Sequence, residues 1–505
     1  MTSDKSSATG TGGARLDNIG QRVARGVVWT TAMRLSMRLF GLANVAVLAR
    51  VLTKADFGLI ALMISTAAVL TLVLDTLMRV ALVRLQTVRD EHYGAAFFLR
   101  AAGGLIVWLI LAAASGPLAD FYGQPRLMMA LIAFGGIVFV EGLVSPWPIA
   151  FQRNLEFHKD FAYEVVPSVM RVVATIGFAL WLKDFWAVPL GLYAGSLARI
   201  VLSYSICPFR SLKTDASAVR DLWYVVKWAL VETGASFSEE RIDRLLLGRV
   251  GTAGQLGVFS AVLDLAALPV GNLVLPIGRA ILPGLQHVRQ AGAEKMKAAY
   301  SLSLGGMIAC CIPVAAGLAL VADPLIRTVF GDRWADAITL LQLAAGFALA
   351  DGVLGAARQL LLAEGRLRAL TAFQWIRAFV YVPAMIGGFY LMGLEGAVLA
   401  KSLVALLALI PVLWHLARTV RLDWGWIASQ VLRSTLATIG MAAAIVALMP
   451  SLKLWLPESW AQLIIIAAFG AAVFGAVLLA LWALAGRPDG LESRIVGLVT
   501  RKRAA

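Results

Sequence analysis

RVLTKADFGL, residues 50–59, and RVGTAGQLGV, residues 249–258, are two versions of one turn, each set between long apolar stretches. Aligned, they pair Arg50 with Arg249, Val51 with Val250, Thr53 with Thr252, Asp56 with Gln255 and Gly58 with Gly257. Each element has a local purpose. The arginine closes a helix at its negative dipole end. Thr53 with Asp56, and Thr252 with Gln255, have the spacing that caps the start of the next helix. The glycine permits close helix contact one turn in.

The turn recurs because the chain is read as two homologous helical bundles. With 505 residues, 60% of them hydrophobic and 15% charged, and a mean hydropathy of +0.80, its surface could not be covered in water, so the bilayer is its solvent. Runs of about 20 apolar residues, the length that crosses the hydrocarbon core, fall near 27–48, 57–83, 94–114, 127–148, 162–182 and 185–207. A second set falls near 223–247, 255–280, 301–322, 336–362, 371–391, 395–417, 430–449 and 461–484.

The expected fold is an all-α integral membrane protein of about fourteen transmembrane helices. Its parts are a basic tail (1–25), an N-lobe of six helices (26–207), a polar linker (208–222), a C-lobe of six helices (223–417), a terminal hairpin (430–484) and a second basic tail (485–505). Six spans lie between the two turns, so both emerge on one face and the two lobes are pseudo-symmetric about an axis along the membrane normal. In transporters built this way the substrate site lies between the lobes near mid-membrane.

Lys and Arg in the short loops concentrate on the side that holds both termini, among them Arg84, Arg153, Lys159, Arg210, Lys213, Arg366, Arg368 and Arg418. That bias predicts cytoplasmic termini. It also accounts for the net charge of +15 without nucleic acid, since no basic stripe interleaved with stacking aromatics stands on a soluble module. Residues 1–25 contain no short apolar core before a small-residue cleavage site, so no removable signal peptide is expected. Cys207, Cys310 and Cys311 fall in or beside spans and imply neither a disulfide framework nor a metal site. No phosphate-binding loop for ATP and no zinc spacing is present, so no cofactor is expected and any transport must draw on a gradient, on membrane potential or on downstream consumption of the product.

Ionisable groups inside spans are costly and usually functional. Arg34 and Arg38 lie four apart in the first span, with no acid in their own helix to neutralise them. Asp75 and Arg79 share that spacing in the second span, and the fifth carries Glu164 and Arg171. The seventh holds Lys227, Glu232, Glu239, Glu240, Arg241, Asp243 and Arg244. Arg100, Arg199, Arg358 and Arg377 are further candidates, while for Arg50, Arg84, Arg244, Arg249 and Lys401 a structural ion pair or a helix-end position is the expected role. A cleft lined by uncompensated arginine concentrates anions, phosphate above all, because guanidinium meets phosphate oxygens bidentately.

The stretches 38–84, 151–161 (FQRNLEFHKDF) and 242–262 (IDRLLLGRVGTAGQLGVFSAV) resemble the oligosaccharide flippases of the polysaccharide transporter (Wzx-type) family, within the multidrug/oligosaccharidyl-lipid/polysaccharide exporter superfamily. The resemblance covers roughly residues 25–420. It implies a bilobed bundle in the bacterial inner membrane that moves a polyprenyl-pyrophosphate-linked oligosaccharide by alternating access, for exopolysaccharide, O-antigen or capsule assembly. It also implies contact with membrane lipids and with polysaccharide polymerase and glycosyltransferase partners. By position Asp75 matches the family's helix-2 acid, and Asp243-Arg244 its Asp-Arg before the second turn. Here Asp75 is followed by Thr76, Leu77 and Met78, where relatives often have glycine two residues after the acid. The substrate-binding candidates are therefore Arg34, Arg38, Asp75, Arg79, Arg171, Arg241 and Asp243. The alternatives are a drug/cation antiporter of the same superfamily and a membrane-embedded polysaccharide polymerase or ligase.

Overall fold

In hydrocarbon every backbone N–H and C=O must be satisfied within the chain, and a single apolar segment can do that only as a helix. The computed structural model accordingly has helices and no strand among the residues it describes, which are 33, 36–37, 40–76, 89–149, 151, 156–206, 213–220, 234, 237, 241–270, 293–364, 366–420, 422–455 and 459–486. The first part of the chain carries α1 (Phe40–Val51), α2 (Lys54–Thr76), α3 (Asp90–Tyr122), α4 (Pro125–Gly142), α5 (Phe157–Leu182) and α6 (Ala187–Ile206). Then follow α7 (241–250), α8 (Ala253–Pro269), α9 (Ala293–Leu320), α10 (Ala322–Val329), α11 (Ala337–Ala363), α12 (Leu367–Val420), α13 (Trp424–Trp455) and α14 (Trp460–Leu484). A helix falls on each of the fourteen spans read from the sequence, α12 covering two of them. Ten of the described helices are long and apolar enough to cross a membrane. The basic tails at 1–25 and 487–505, and the side chains of Arg34, Arg38, Asp75 and Arg79, lie outside the described residues.

The turn at 50–59 is built as its spacing requires. The Thr53 backbone N–H and hydroxyl both donate to Asp56 Oδ2, at 3.1 and 2.7 Å, and the Asp56 N–H donates back to the Thr53 hydroxyl at 3.2 Å. Asp56 is buried and also meets Arg126 at 3.1 Å; Arg126 in turn reaches Asp184 at 2.5 Å and lies 4.7 Å from the Phe185 ring centroid. One cap thus ties three hairpin ends together. Gly58 serves a neighbour further along the chain: a Cβ there would lie 1.8 Å from the carbonyl oxygen of Ala253, so the second copy of the turn rests on the glycine of the first.

The chain divides into two units, one of residues 1–237 with 247–254, the other of 238–246 with 255–505. In the first, α3 packs on α4 and α5 on α6, and α4 joins the pairs through α6 and α2. The end of α1 packs there too, Leu48 and Leu52 lying against Ala179 and Ala187. Ser217, in the described part of the linker, accepts from Arg89 at 3.1 Å and donates to Asp215 at 2.5 Å. The hydroxyl and backbone N–H of Ser217 hold the Asp215 carboxyl below the usual carboxylate range.

In the second unit α11 packs between α9 and α12, and α13 lies on α9 with α14 against it. Met441, Ile445 and Ile466 bury together against Ala316 and Leu320, which fixes the terminal hairpin to this unit. Only α10 was not anticipated. Its eight residues are too few for a span; they bury Ile326 and Val329, while Arg327 bridges Asp323 and Asp332, each at 2.7 Å.

A glycine break makes α12 into two helices. Gly393 has φ +63° and ψ −141°, a conformation that L side chains rarely adopt, and it reverses the chain between the eleventh and twelfth spans. The reversal is tight, because a Cβ at Gly396 would come within 2.0 Å of the Gly388 carbonyl oxygen. Gly396→Ala is therefore expected to destabilise the protein by about 1–3 kcal/mol, the usual result of overpacking. Gly387→Ala, with nothing within 4 Å of its added carbon, is the matched control. Thermal unfolding of both variants in detergent checks this, and equal melting temperatures would refute the close approach.

Candidate functional site

Two groups of intramembrane charges are assembled, one in each unit. In the first, Glu164 and Arg171 stand seven apart on α5 and share a face, as do Ser196 and Arg199 on α6. Two small residues bring these helices together: a Cβ at Gly191 would meet the Thr175 hydroxyl at 1.8 Å, and one at Gly195 would meet Arg171 Cβ at 2.8 Å. Arg199 pairs with Glu164 at 3.3 Å, and its guanidinium lies 5.9 Å from the Tyr163 ring centroid. Arg100 of α3 lies 4.0 Å from Glu141 of α4, which also accepts from the Ser196 hydroxyl at 3.2 Å.

Three arginines thus meet two glutamates, and each glutamate has an arginine beside it. Arg171 is the remaining one. Among the described residues it makes no ion pair within 4 Å, although Glu141, Glu164 and Arg199 all act on it through space. Its exposed side chain lines a cavity of about 190 Å³ together with Met37, Phe40, Asn44, Ser168 and Thr175. The Ser168 and Thr175 hydroxyls are occupied by the backbone carbonyls of Glu164 and Arg171, at 2.9 and 2.7 Å. Asn44 Oδ1 is buried and has no hydrogen-bond partner among the described residues. The cavity therefore offers a guanidinium for an oxoanion and an amide oxygen for a hydroxyl or N–H donor.

In the second unit the Asp243-Arg244 pair of α7 points two ways. Asp243 is completely buried and forms an ion pair with Lys401 of α12, while the Arg244 backbone N–H donates to its other oxygen at 2.7 Å. The Lys401 ammonium lies 4.8 Å from the Phe347 ring centroid and 5.4 Å from that of Tyr381. The side chain of Arg244 turns instead to Asp264 of α8, at 2.5 Å. Arg241, one turn earlier on α7, is half-buried.

Of the residues singled out in the sequence, the structure thus places Arg171 on a cavity wall, Asp243 in a buried pair and Arg241 on the same short helix as Asp243. Lys401 and Arg244 have the ion-pair roles anticipated for them. Glu141 and Asn44 were not singled out. Glu141 carried a usable signal, an acid inside a span, whereas a lone amide in an apolar run carries none.

A family described as polysaccharide biosynthesis protein matches residues 47–339. The lipopolysaccharide biosynthesis protein WzxC of Escherichia coli (strain K12) is 22% identical over 77% of this chain and 80% of its own length. The succinoglycan biosynthesis transport protein ExoT of Rhizobium meliloti (strain 1021) is 24% identical over 66% of this chain and 67% of its own. In fold, the chain is similar to the lipid II flippase MurJ in an inward closed conformation, with a TM-score of 0.74 at 12% identity, over 91% of this chain and 100% of that one. It is also similar to a multidrug resistance MATE family transporter of the MOP superfamily in an inward-facing conformation, with a TM-score of 0.57 at 14% identity, over 76% and 94% of the two chains.

Proposed function

From the premise that the chain belongs to the polysaccharide biosynthesis protein family, we propose that it is a flippase that carries a polyprenyl-pyrophosphate-linked oligosaccharide across the bacterial inner membrane. The single observation that carries this reading to a site is Arg171, an arginine with no ion pair among the described residues, on a cavity it shares with a buried amide oxygen. A diphosphate needs a fixed guanidinium and a glycan needs hydrogen-bonding partners. The cavity holds one of each.

In this reading Arg34, Arg38 and Arg171 hold the phosphates, Arg34 and Arg38 being the leading candidates of the first span. Asp75, Arg79, Arg241 and Asp243 complete the polar lining or set its shape. The two sets of six helices, 26–207 and 223–417, are the bodies that alternate access, with residues 430–484 appended. Both termini face the cytoplasm, which the loop bias of Lys and Arg supports. The chain breaks no covalent bond. The enzymes it works beside are the glycosyltransferases that build the repeat unit and the polymerase that consumes it.

The antiporter reading has support of its own in the likeness to a MATE fold. A cation carrier needs acids in excess of arginine at its binding cavity, and among the described residues Arg100, Arg171 and Arg199 outnumber Glu141 and Glu164.

Purified protein in liposomes, loaded on one leaflet with a fluorescent undecaprenyl-diphosphate oligosaccharide, tests the choice. Protein-dependent arrival of the sugar at the opposite leaflet, read by accessibility to a glycosidase, is expected. Organic-cation efflux in its absence would instead assign the chain to the antiporters.

A further inference from the structure

The cavity beside Arg171 has an interior that a diphosphate does not explain. Its volume of about 190 Å³ is somewhat more than the roughly 150 Å³ that accepts a benzene ring, so it has room for one six-membered ring and not for two. Phe40, Gly41 and Asn44 reach it from one face of α1, and Ser168, Arg171 and Thr175 from one face of α5. Much of the wall is apolar, made by Met37, Phe40, Val172, Val188 and Leu192. A phosphate gains nothing from such a wall, whereas the C–H faces of a sugar ring pack on it.

The polar atoms point the same way. The Ser168 and Thr175 hydroxyls already donate to carbonyls of their own helix, at 2.9 and 2.7 Å. Asn44 differs: its Oδ1 is buried and accepts from no donor among the described residues. A buried carbonyl oxygen without a donor is costly, and water can serve it only until a ligand fills the space. That ligand must then bring an O–H or N–H of its own. Ionised phosphate oxygens bring neither, so the group that belongs beside Asn44 is a donor and not the anion.

Given the flippase reading above, on which this assignment rests, we infer that the cavity receives the sugar attached directly to the diphosphate. One ring lies on the apolar wall, a ring hydroxyl or acylamino N–H donates to Asn44 Oδ1, and Arg171 takes the adjoining phosphate. Asn44 is thereby a specificity-determining residue. A carrier lipid loaded with glycan engages both Asn44 and Arg171, while the spent carrier has only its phosphates to offer. The loaded form is favoured by the differential contact, which is what directs a carrier toward one of two similar lipids.

The full chain, purified in a neutral detergent, is titrated with bare undecaprenyl diphosphate and with the same lipid carrying a single glucose, galactose or N-acetylglucosamine. At least one glycosylated lipid should bind about tenfold more tightly than the bare one, the return from one buried hydrogen bond with its packing. In Asn44→Leu the ratio of the two affinities should fall by about tenfold, because the sugar donor then has no acceptor. Arg171→Ala should weaken both lipids together and keep their ratio. A ratio measured within one protein is not mimicked by partial misfolding. A wild-type ratio near one, or a ratio that Asn44→Leu leaves unchanged, would overturn the sugar site; binding that still depends on Arg171 would then leave the flippase reading standing. Failure of every diphospholipid to bind would overturn that reading, and the sugar site with it.

Discussion

Lys401→Met should destabilise the protein by about 3–5 kcal/mol, because it leaves a completely buried carboxylate, Asp243, without its counter-charge. The Arg244 N–H remains on one oxygen of Asp243, but a single backbone donor does not replace an ammonium. Asp243→Leu should cost a similar amount, leaving Lys401 between the Phe347 and Tyr381 rings with no anion. The double variant Asp243→Leu/Lys401→Met should recover most of the loss, since a buried pair exchanged for apolar residues of similar size is often neutral. The free energy of unfolding in detergent, measured for all four proteins, gives the coupling directly. Additive losses would show that the two residues act separately. A structural staple of this kind is consistent with an aspartate that helps shape the polar lining of a transporter without itself touching an anion.

The second large effect concerns transport. Arg171→Ala is expected to lower the rate of lipid-linked oligosaccharide movement by roughly ten- to a hundred-fold, the loss of one or two charge-assisted hydrogen bonds to phosphate. Stability should change little, because Arg171 is exposed in its cavity and holds no ion pair among the described residues. Arg171→Lys keeps the charge but loses the planar fork, so it should recover only part of the rate. The measurement is the initial rate in liposomes with equal amounts of each protein, accompanied by polymer export in cells with matched membrane levels. A wild-type rate in Arg171→Ala would remove the cavity from the transport path. The neighbouring pairs sharpen the expectation. Among the described residues of this group, Arg199 pairs with Glu164 and Arg100 lies beside Glu141, while Arg171 makes no ion pair within 4 Å.

Much of the architecture was legible in the chain alone, because hydrocarbon imposes a length of about 20 apolar residues and a helical backbone on every crossing segment. That constraint located the spans. The Thr53–Asp56 cap is local, formed by residues three apart, and spacing sufficed to identify it. Which charges face a ligand is a different kind of property. Lys401 meets Asp243 across 158 positions, and Arg199 meets Glu164 across 35, through helix contacts that no spacing rule encodes.

Gly58, Gly191 and Gly195 show the same limit: the sequence marks them as small, and only packing tells that Ala253, Thr175 and Arg171 are what they admit. By itself, then, the sequence determined an all-helical membrane bundle with a repeated turn and an excess of arginine. Among the described residues of the first unit, the tertiary structure decided that Arg100 and Arg199 lie beside glutamates while Arg171 does not, because pairing depends on the rotation of each helix about its axis, and that rotation is set by close packing between distant segments.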